Sequence, residues 1–352
     1  MLQSGSALKK YIGVVALEFL FAAIVVWFFD PFYQYHEPIG NRPAVLSDST
    51  NQVAGTIRSF DYDSVLVGTS VAENCDTDFL NHAYDARFIK VIRQGGSTAD
   101  LIYYLNMVHA NRQLKNVIYC LDISSLMADT QTVLLKEENP RYLFTDTMLD
   151  DGTYLFNKEV IFKRIPFMLA GERMGRNVGG KAYDWSEGKE FSAQNAMRAY
   201  EKPTTRLEAQ NFEQDIVCIS ENIAMLEREV ESNPDTTYRF FLPTYSMMWW
   251  DCAVANGVQE EYYYCLEQVL KALTVYSNVE VYDFQVWVDC ACDLDNYMDM
   301  IHYSPQVNAW MLEAMSQGEN VVESDSVEDF VLQTRDMVQS IVDDKIYIYY
   351  EK

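Results

Sequence analysis

Three short and almost wholly apolar segments alternate with amphipathic segments between residues 64 and 122. The apolar segments read SVLVG, RFIKVIR and NVIYCLD, and the stretches between them, AENCDTDFLNHAY and STADLIYYLNMVHANRQ, have helical spacing. Strands that lack polar alternation are buried on both faces, which requires a parallel sheet covered by helices on both sides. The pattern therefore predicts an open, doubly wound α/β sheet.

A less regular stretch, about residues 127 to 205, interrupts this alternation with charges, aromatic residues and glycines. After it, TYRFFLP and NVEVYDF are typical of strands, and TRLEAQNFEQDIVCISENIAMLEREVES and EEYYYCLEQVLKALTVYS are typical of helices. Because the alternation resumes, we expect one domain over residues 61 to 352 that carries an insertion, rather than two domains.

The N-terminal region contains the apolar run YIGVVALEFLFAAIVVWFF, residues 11 to 29, preceded by Lys9 and Lys10. Nineteen residues at about 1.5 Å each just cross a hydrocarbon core of about 30 Å. The bulky exit WFFDPF lacks a small-residue cleavage site, so we expect an uncleaved single-pass anchor in the cell membrane. The lysines predict a cytoplasmic tail at residues 1 to 10, a juxtamembrane segment at 30 to 60 and an extracytoplasmic domain beyond.

Glu18 lies inside this apolar run. A carboxylate among lipid chains is costly, which suggests a polar partner on another membrane protein. A protonated or snorkelling glutamate explains the residue equally well, and the sequence leaves both possibilities open.

Charge and composition exclude several classes of function. The chain has 52 acidic and 27 basic residues, a net charge of −25, and such a surface repels the phosphates of nucleic acids. The seven cysteines show no repeated ligand spacing; Cys290 and Cys292 in CAC could form a strained disulfide or part of a metal site, but no second pair accompanies them. The stretch GRNVGGKA lacks the Ser or Thr of a phosphate-binding loop. We therefore expect no nucleic acid, metal or cofactor.

Polar residues at two distant places suggest a catalytic site. Ser70 follows the strand SVLVG, and the active edge of an open parallel sheet lies at the carboxyl ends of its strands. Serine is also a common helix N-cap, so Ser70 alone indicates little. Asp299 and His302, in NYMDMIHYSP, are spaced to share one side of a helical turn. A histidine base oriented by an aspartate is what a serine nucleophile needs, so the combination predicts a Ser-His-Asp triad.

These motifs resemble those of the SGNH or GDSL-type hydrolases, over residues 60 to 315 with the insertion left out. Gly68-Thr69-Ser70 looks like the first block, VIRQGGSTADL like the second, and Asp299-x-x-His302 like the last. The resemblance implies a three-layer, flavodoxin-like sheet with Ser70 as nucleophile. It also implies an oxyanion hole formed by N–H groups of Ser70 and of Gly95 or Gly96.

One departure from the family pattern concerns the third block. The family places an asparagine after the third strand, where this chain has Asp122 in CLDISSL. An ionised aspartate cannot donate a hydrogen bond to an oxyanion. Asn74 or Ser97 could substitute, or backbone N–H groups could act alone, and the loss of one donor costs about 10²–10³ in rate.

The anchor and the stretch FFLPTYSMMWW are similar to an extracytoplasmic SGNH-like branch that includes the teichoic-acid D-alanyl transfer protein and polysaccharide O-acetylation proteins. This resemblance implies an acetyl or D-alanyl group on a cell-surface polysaccharide or teichoic-acid-like polymer. It also implies a membrane-bound O-acyltransferase as partner, with the insertion binding the acceptor. Tyr245 and Ser246 are expected at the active edge with an open role. Hydrolysis, transfer and a non-catalytic scaffolding role remain alternatives.

Overall fold

The structure, a computed structural model, describes residues 2–131, 140–145, 147, 150–198 and 200–350. Strands within these ranges are β1 Ser64–Gly68, β2 Phe88–Ile92, β3 Asn116–Cys120, β4 Thr237–Leu242 and β5 Val279–Asp283. Helices within the same ranges are α1 Leu2–Phe29, α2 Ser49–Ser59, α3 Thr77–Tyr84, α4 Thr98–Asn111, α5 Ile123–Leu126, α6 Asp151–Leu155, α7 Ile165–Met174, α8 Ala193–Arg198, α9 Ile216–Ser232, α10 Met247–Ala255, α11 Gln259–Leu273, α12 Val288–Cys292, α13 Pro305–Gln317, α14 Val327–Ser340 and α15 Tyr347–Tyr350.

The five strands form one parallel sheet in the order β2-β1-β3-β4-β5. Every residue of β1 and β2 is buried, as expected of strands covered on both faces. Helix α4 packs against α9 and α9 against α11, while α3 packs against α13. The predicted three-layer, doubly wound α/β fold is confirmed, and its strand order is the flavodoxin-like one.

The chain reverses its direction of winding at β1. From β1 it crosses to β2 on one side and then returns to β3 on the other side. The connections that leave β1 and β3 therefore separate and open a crevice at the carboxyl ends of the strands, which is where ligands bind in folds of this type. Ser70 follows β1 at this point.

The chain divides into two compact units. Unit 1 comprises Met1–Asp61 and Leu134–Gly179, and unit 2, which contains the sheet, comprises Tyr62–Val133 and Gly180–Lys352. Most of the stretch that the sequence marks as an insertion thus groups with the N-terminal region, and its first few residues and its last part group with the sheet. The domain boundaries given above remain predictions.

Unit 1 begins with the long helix α1. Its stretch Ala7–Phe29 is apolar and long enough to cross a membrane, and almost none of it is buried in the protein, a property that membrane anchors share with signal sequences. The helix ends at Phe29. The carboxylate of the next residue, Asp30, accepts hydrogen bonds from the backbone N–H of Gln34 (3.0 Å) and Tyr35 (2.7 Å) and from the Tyr154 hydroxyl (2.8 Å). Burial nevertheless raises the pKa of Asp30.

Candidate active site

The turn after β1 places Ser70 at the edge of the sheet. A Cβ atom at Gly68 would lie 2.7 Å from the Ala72 Cβ and 2.9 Å from the Cys120 Cβ, so only glycine lets the turn fold this closely onto β3. Ser70 opens a single 3₁₀ turn, Ser70–Ala72. The helix expected in AENCDTDFLNHAY begins only at Thr77, as α3, so a helix dipole contributes little at Ser70.

The three residues predicted to form a triad lie together within unit 2. The Ser70 Oγ is 3.0 Å from the His302 Nε2, and the His302 Nδ1 is 2.8 Å from the Asp299 Oδ2. The second oxygen of Asp299 accepts the backbone N–H of Ile301 (2.9 Å) and of His302 (2.8 Å). Burial by itself would raise the pKa of Asp299, but these hydrogen bonds outweigh it and lower the pKa. The carboxylate therefore stays ionised beside the imidazole.

Asp299 and His302 are held in a closed loop and not in the helical turn that their spacing suggests. Tyr297 and Tyr303 pair as an antiparallel bridge, and α13 begins only at Pro305. The Ser246 hydroxyl donates to the Met300 carbonyl at 2.7 Å and fixes the tip of the loop. The carboxylate of Asp299 thus binds the backbone of this loop as well as the imidazole.

The N–H groups expected to form the oxyanion hole differ in whether they are already engaged. The Gly96 N–H donates to the Arg93 carbonyl at 3.0 Å, so it is already engaged in a turn. Gly95 takes the left-handed conformation (φ 59°) that this turn requires, and its N–H has no acceptor among the described residues. The Ser70 N–H is likewise unengaged in the described part of the chain. Ser97, the other substitute considered, forms a capping box with Asp100 at the start of α4.

Asn74 is the side chain in the turn region with an unused donor. Its side chain is only 7% exposed, and its Oδ1 accepts the Trp185 N–H at 3.1 Å. Its Nδ2 has no hydrogen-bond partner among the described residues. A buried donor left unpaired costs about 1–3 kcal/mol, so this amide is primed to donate to a ligand.

Asp122, which stands where the family has asparagine, binds protein donors. Its carboxylate accepts hydrogen bonds from the Thr69 hydroxyl (3.3 Å), from the Tyr245 hydroxyl and from the backbone N–H of Ser124 (3.1 Å). Burial, with the nearby Asp122 carboxylate, raises the pKa of Tyr245 well above its usual range, so the phenol stays a donor. Asp122 therefore fixes Thr69, the residue before Ser70, and offers no donor to an oxyanion.

Trp185 covers Ser70 and His302, and no sequence pattern marks it. Its indole Nε1–H donates to the Ser70 carbonyl at 2.9 Å, and its ring meets the His302 ring edge to face at 5.4 Å. Phe191 lies beside it at 6.1 Å between ring centroids. A tryptophan in the polar loop AYDWSEG shows no spacing that would link it to a serine more than a hundred residues away.

Lys90 holds this loop in place from within β2. Its ammonium is buried and donates to the Glu73 carbonyl and to the Ala182 carbonyl, each at 2.6 Å. Burial lowers the pKa of Lys90 to about 8. The lysine thereby joins the turn that follows Ser70 to the loop that precedes Trp185, a role that its place in an apolar strand did not reveal.

Metal-ligating side chains and cysteines give no second candidate centre in the described ranges. No cluster of three metal-ligating side chains occurs in the ranges that the structure describes. All seven cysteines are free thiols, including Cys290 and Cys292, so the disulfide considered for CAC is absent.

Comparison with known proteins leaves the family open. No protein-family model matches the chain, and no curated protein matches its sequence. A solved structure from Streptococcus pneumonia, described provisionally as a platelet activating factor, is similar with a TM-score of 0.40 and 10% sequence identity over 76% of this chain and 91% of that one. A likeness this distant carries no argument, so only the residues of the site bear on function.

Proposed function

We propose that this protein is a serine acyl-esterase or acyltransferase that acts on O-acyl groups of a cell-surface polymer. The observation that carries the proposal is the hydrogen-bonded series from the Ser70 Oγ to His302 (3.0 Å) and on to Asp299 (2.8 Å). Nucleophile, base and orienting carboxylate in this order are the arrangement that activates a serine hydroxyl.

The first half-reaction forms an acyl-enzyme. The Ser70 Oγ attacks the acyl carbonyl carbon while His302 Nε2 accepts the hydroxyl proton, and Asp299 stabilises the resulting imidazolium. The tetrahedral intermediate then collapses, and the imidazolium returns the proton to the departing alkoxide. The Ser70 N–H, the Gly95 N–H and the Asn74 amide are the donors available to the oxyanion.

The second half-reaction repeats these steps with a new nucleophile. His302 removes a proton from water in an esterase, or from a sugar or polyol hydroxyl in a transferase, and Ser70 leaves as its alkoxide and regains a proton. Trp185 and Phe191 form an aromatic wall beside His302 on which an apolar sugar face can pack. This wall supports an acceptor built from sugar units.

Resemblance of the Ser70, Gly95 and Asp299-x-x-His302 motifs to the SGNH or GDSL hydrolases supports the reaction class. The extracytoplasmic branch implies an acetyl or D-alanyl group on a polysaccharide or teichoic-acid-like polymer. In this proposal α1 is a single-pass anchor with a cytoplasmic N-terminus, and a membrane-bound O-acyltransferase is the partner. Glu18 is exposed on α1 and would meet that partner.

Asp122 favours a second candidate function. A carboxylate in the place of an oxyanion donor suits an SGNH-like domain that binds a polymer or an acyltransferase without turning over. Hydrolysis would then be absent although Ser70 and His302 remain in contact.

Labelling with a fluorophosphonate separates the two candidates. The full chain in detergent is exposed to the probe, and the adduct is mapped by mass spectrometry. We expect modification of Ser70 in the wild type, none in Ser70→Ala, and no change in Ser277→Ala, since Ser277 is exposed and lies before β5, at the opposite edge of the sheet. An unlabelled Ser70 in a folded chain would exclude catalysis and favour the binding role. If Ser70 labels, release of acetate or D-alanine from acylated polymers separates the substrates.

A further inference from the structure

A second segment of unit 1 packs along helix α1. Phe156, which follows α6, meets Phe19 of α1 edge to face, with ring centroids 5.2 Å apart. Two residues earlier, the Tyr154 hydroxyl reaches Asp30 at the end of α1. The chain near Phe156 therefore runs beside the last part of the apolar helix instead of lying beyond its end.

The position of Phe19 sets the depth of this contact. Ten residues separate Phe19 from Phe29, which is about 15 Å of helix, or about half the thickness of a hydrocarbon core. The apolar run of residues 11 to 29 has no length to spare, because nineteen residues span only about 28 Å. Trp27 marks the interface level near the end of the run, where tryptophan is favoured. If α1 crosses a bilayer, the Phe156 ring lies below the lipid headgroups.

The segment that continues from Phe156 presents apolar side chains outward. Phe162 is 76% exposed, Phe167 60% and Met174 55%, while Val160, Ile165 and Met168 point inward and are buried. A surface helix in water normally turns its large apolar side chains inward, so the exposure of Phe162 and Phe167 is unusual. Exposed apolar patches of this kind mark interaction surfaces.

Charge favours a lipid partner over another region of protein. Residues 151 to 176 have five basic and three acidic side chains, a net charge of +2 in a chain whose net charge is −25: Lys158, Lys163, Arg164, Arg173 and Arg176 against Asp151, Glu159 and Glu172. Lys163 and Arg164 form ion pairs with Glu159 (2.6 Å) and Asp48 (2.7 Å), but the Lys163 side chain is still 71% exposed. Exposed basic side chains that border an apolar face suit the phosphates of a bilayer interface.

We infer that residues 156 to 174 form a second membrane contact, inserted into the leaflet at the Phe29 end of α1. Phe156, Phe162 and Phe167 lie among the acyl chains, and Lys163 lies at the phosphates. The inference rests on the membrane anchor of the proposed function. This second contact would fix the orientation of unit 1 relative to the membrane surface, which a single helix would not do.

The test maps contact with lipid directly. The full chain is reconstituted in vesicles of phosphatidylcholine and phosphatidylglycerol, and a carbene-generating probe dissolved in the acyl chains is activated by light. We expect adducts on α1 and on Phe162, Phe167 and Met174, at least about tenfold above those on Val275 and Leu332, because an apolar probe is depleted from water. Val275 and Leu332 are matched controls, since they are 68% and 55% exposed in unit 2.

The outcomes separate this surface from the proposed function. Adducts on α1 without adducts on residues 156 to 174 would overturn the inference, and would mean that something other than lipid covers this face. An unlabelled α1 would overturn both the anchor and the surface. Failure of Ser70 to react with a fluorophosphonate would overturn catalysis and leave the lipid labelling unchanged.

A pair of substitutions provides a second measurement. Phe162→Asp with Phe167→Asp places charges at exposed positions and should reduce labelling of residues 156 to 174 to the level of the controls, with α1 still labelled. Val275→Asp with Leu332→Asp should change nothing. If the chain with Phe162→Asp and Phe167→Asp is labelled as strongly as the wild type, insertion is contradicted. Circular dichroism checks that both double variants fold.

Discussion

Replacing Asp299 by asparagine should abolish base catalysis at Ser70 while leaving the fold intact. The Asp299 Oδ1 accepts two backbone N–H groups, from Ile301 (2.9 Å) and His302 (2.8 Å). In Asp299→Asn the amide oxygen must therefore keep that position, which turns the amide NH₂ toward the His302 Nδ1. The amide then donates to Nδ1, and the ring carries its proton on Nε2, which can no longer accept the Ser70 proton.

A wrong tautomer of this kind costs about 10⁴ in rate, or about 5.5 kcal/mol of transition-state stabilisation. The assay is the second-order rate of Ser70 modification by a fluorophosphonate, with circular dichroism to check folding. Asp289→Asn, an exposed aspartate in the same region, is the matched control and should react at the wild-type rate. Modification of Asp299→Asn within about tenfold of the wild type would refute the assignment of Asp299 as the orienting group.

Four further substitutions test groups in unit 2. Asn74→Asp keeps the acceptor for the Trp185 N–H but removes the amide donor, so labelling of Ser70 should fall about 10²–10³-fold; an unchanged rate would exclude Asn74 from the oxyanion hole. Trp185→Phe keeps a ring over His302 but removes one neutral hydrogen bond to Ser70, worth about 1 kcal/mol, so the rate of Ser70 labelling should fall about fivefold. Trp185→Ala removes the ring as well and should raise the KM for sugar acceptors more than Trp185→Phe does. Burial raises the pKa of Asp283 to about 7, although a hydrogen bond from the Gln285 N–H opposes the shift. Because the folded chain then holds this proton more tightly than the unfolded chain, the free energy of unfolding should fall by about 4 kcal/mol as pH rises from about 4 to 7. Asp283→Asn should flatten that fall in urea titrations at pH 5 and pH 8, and a wild-type chain equally stable at both would contradict the raised pKa.

Much of the framework could be predicted from local patterns. Continuous apolar runs such as SVLVG predict buried parallel strands, because hydrophobic periodicity is a property of neighbouring residues. The position of Ser70 after β1 follows from the same pattern, since parallel strands end at a common edge. The spacing of Asp299 and His302 indicated a base and its orienting group, although the loop that holds them is not the helical turn that the spacing suggested.

The groups that surround this framework depend on contacts between distant segments. Gly95 and Gly96 cannot be distinguished in the sequence. Only the turn that pairs the Gly96 N–H with the Arg93 carbonyl shows which N–H is engaged. Asn74, Trp185 and Lys90 lie in unremarkable stretches, and each acquires its role through a partner far along the chain.

The sequence by itself therefore determined the sheet, the apolar N-terminal helix and the candidate nucleophile, because each depends on residues close together in the chain. Only the tertiary structure decided that Ser70 meets His302 across 232 positions, that Asp122 holds Thr69, and that Phe156 reaches down to Phe19. The physical reason is that a hydrogen bond or a ring contact needs two groups within a few ångströms, and the folding of the whole chain sets that distance.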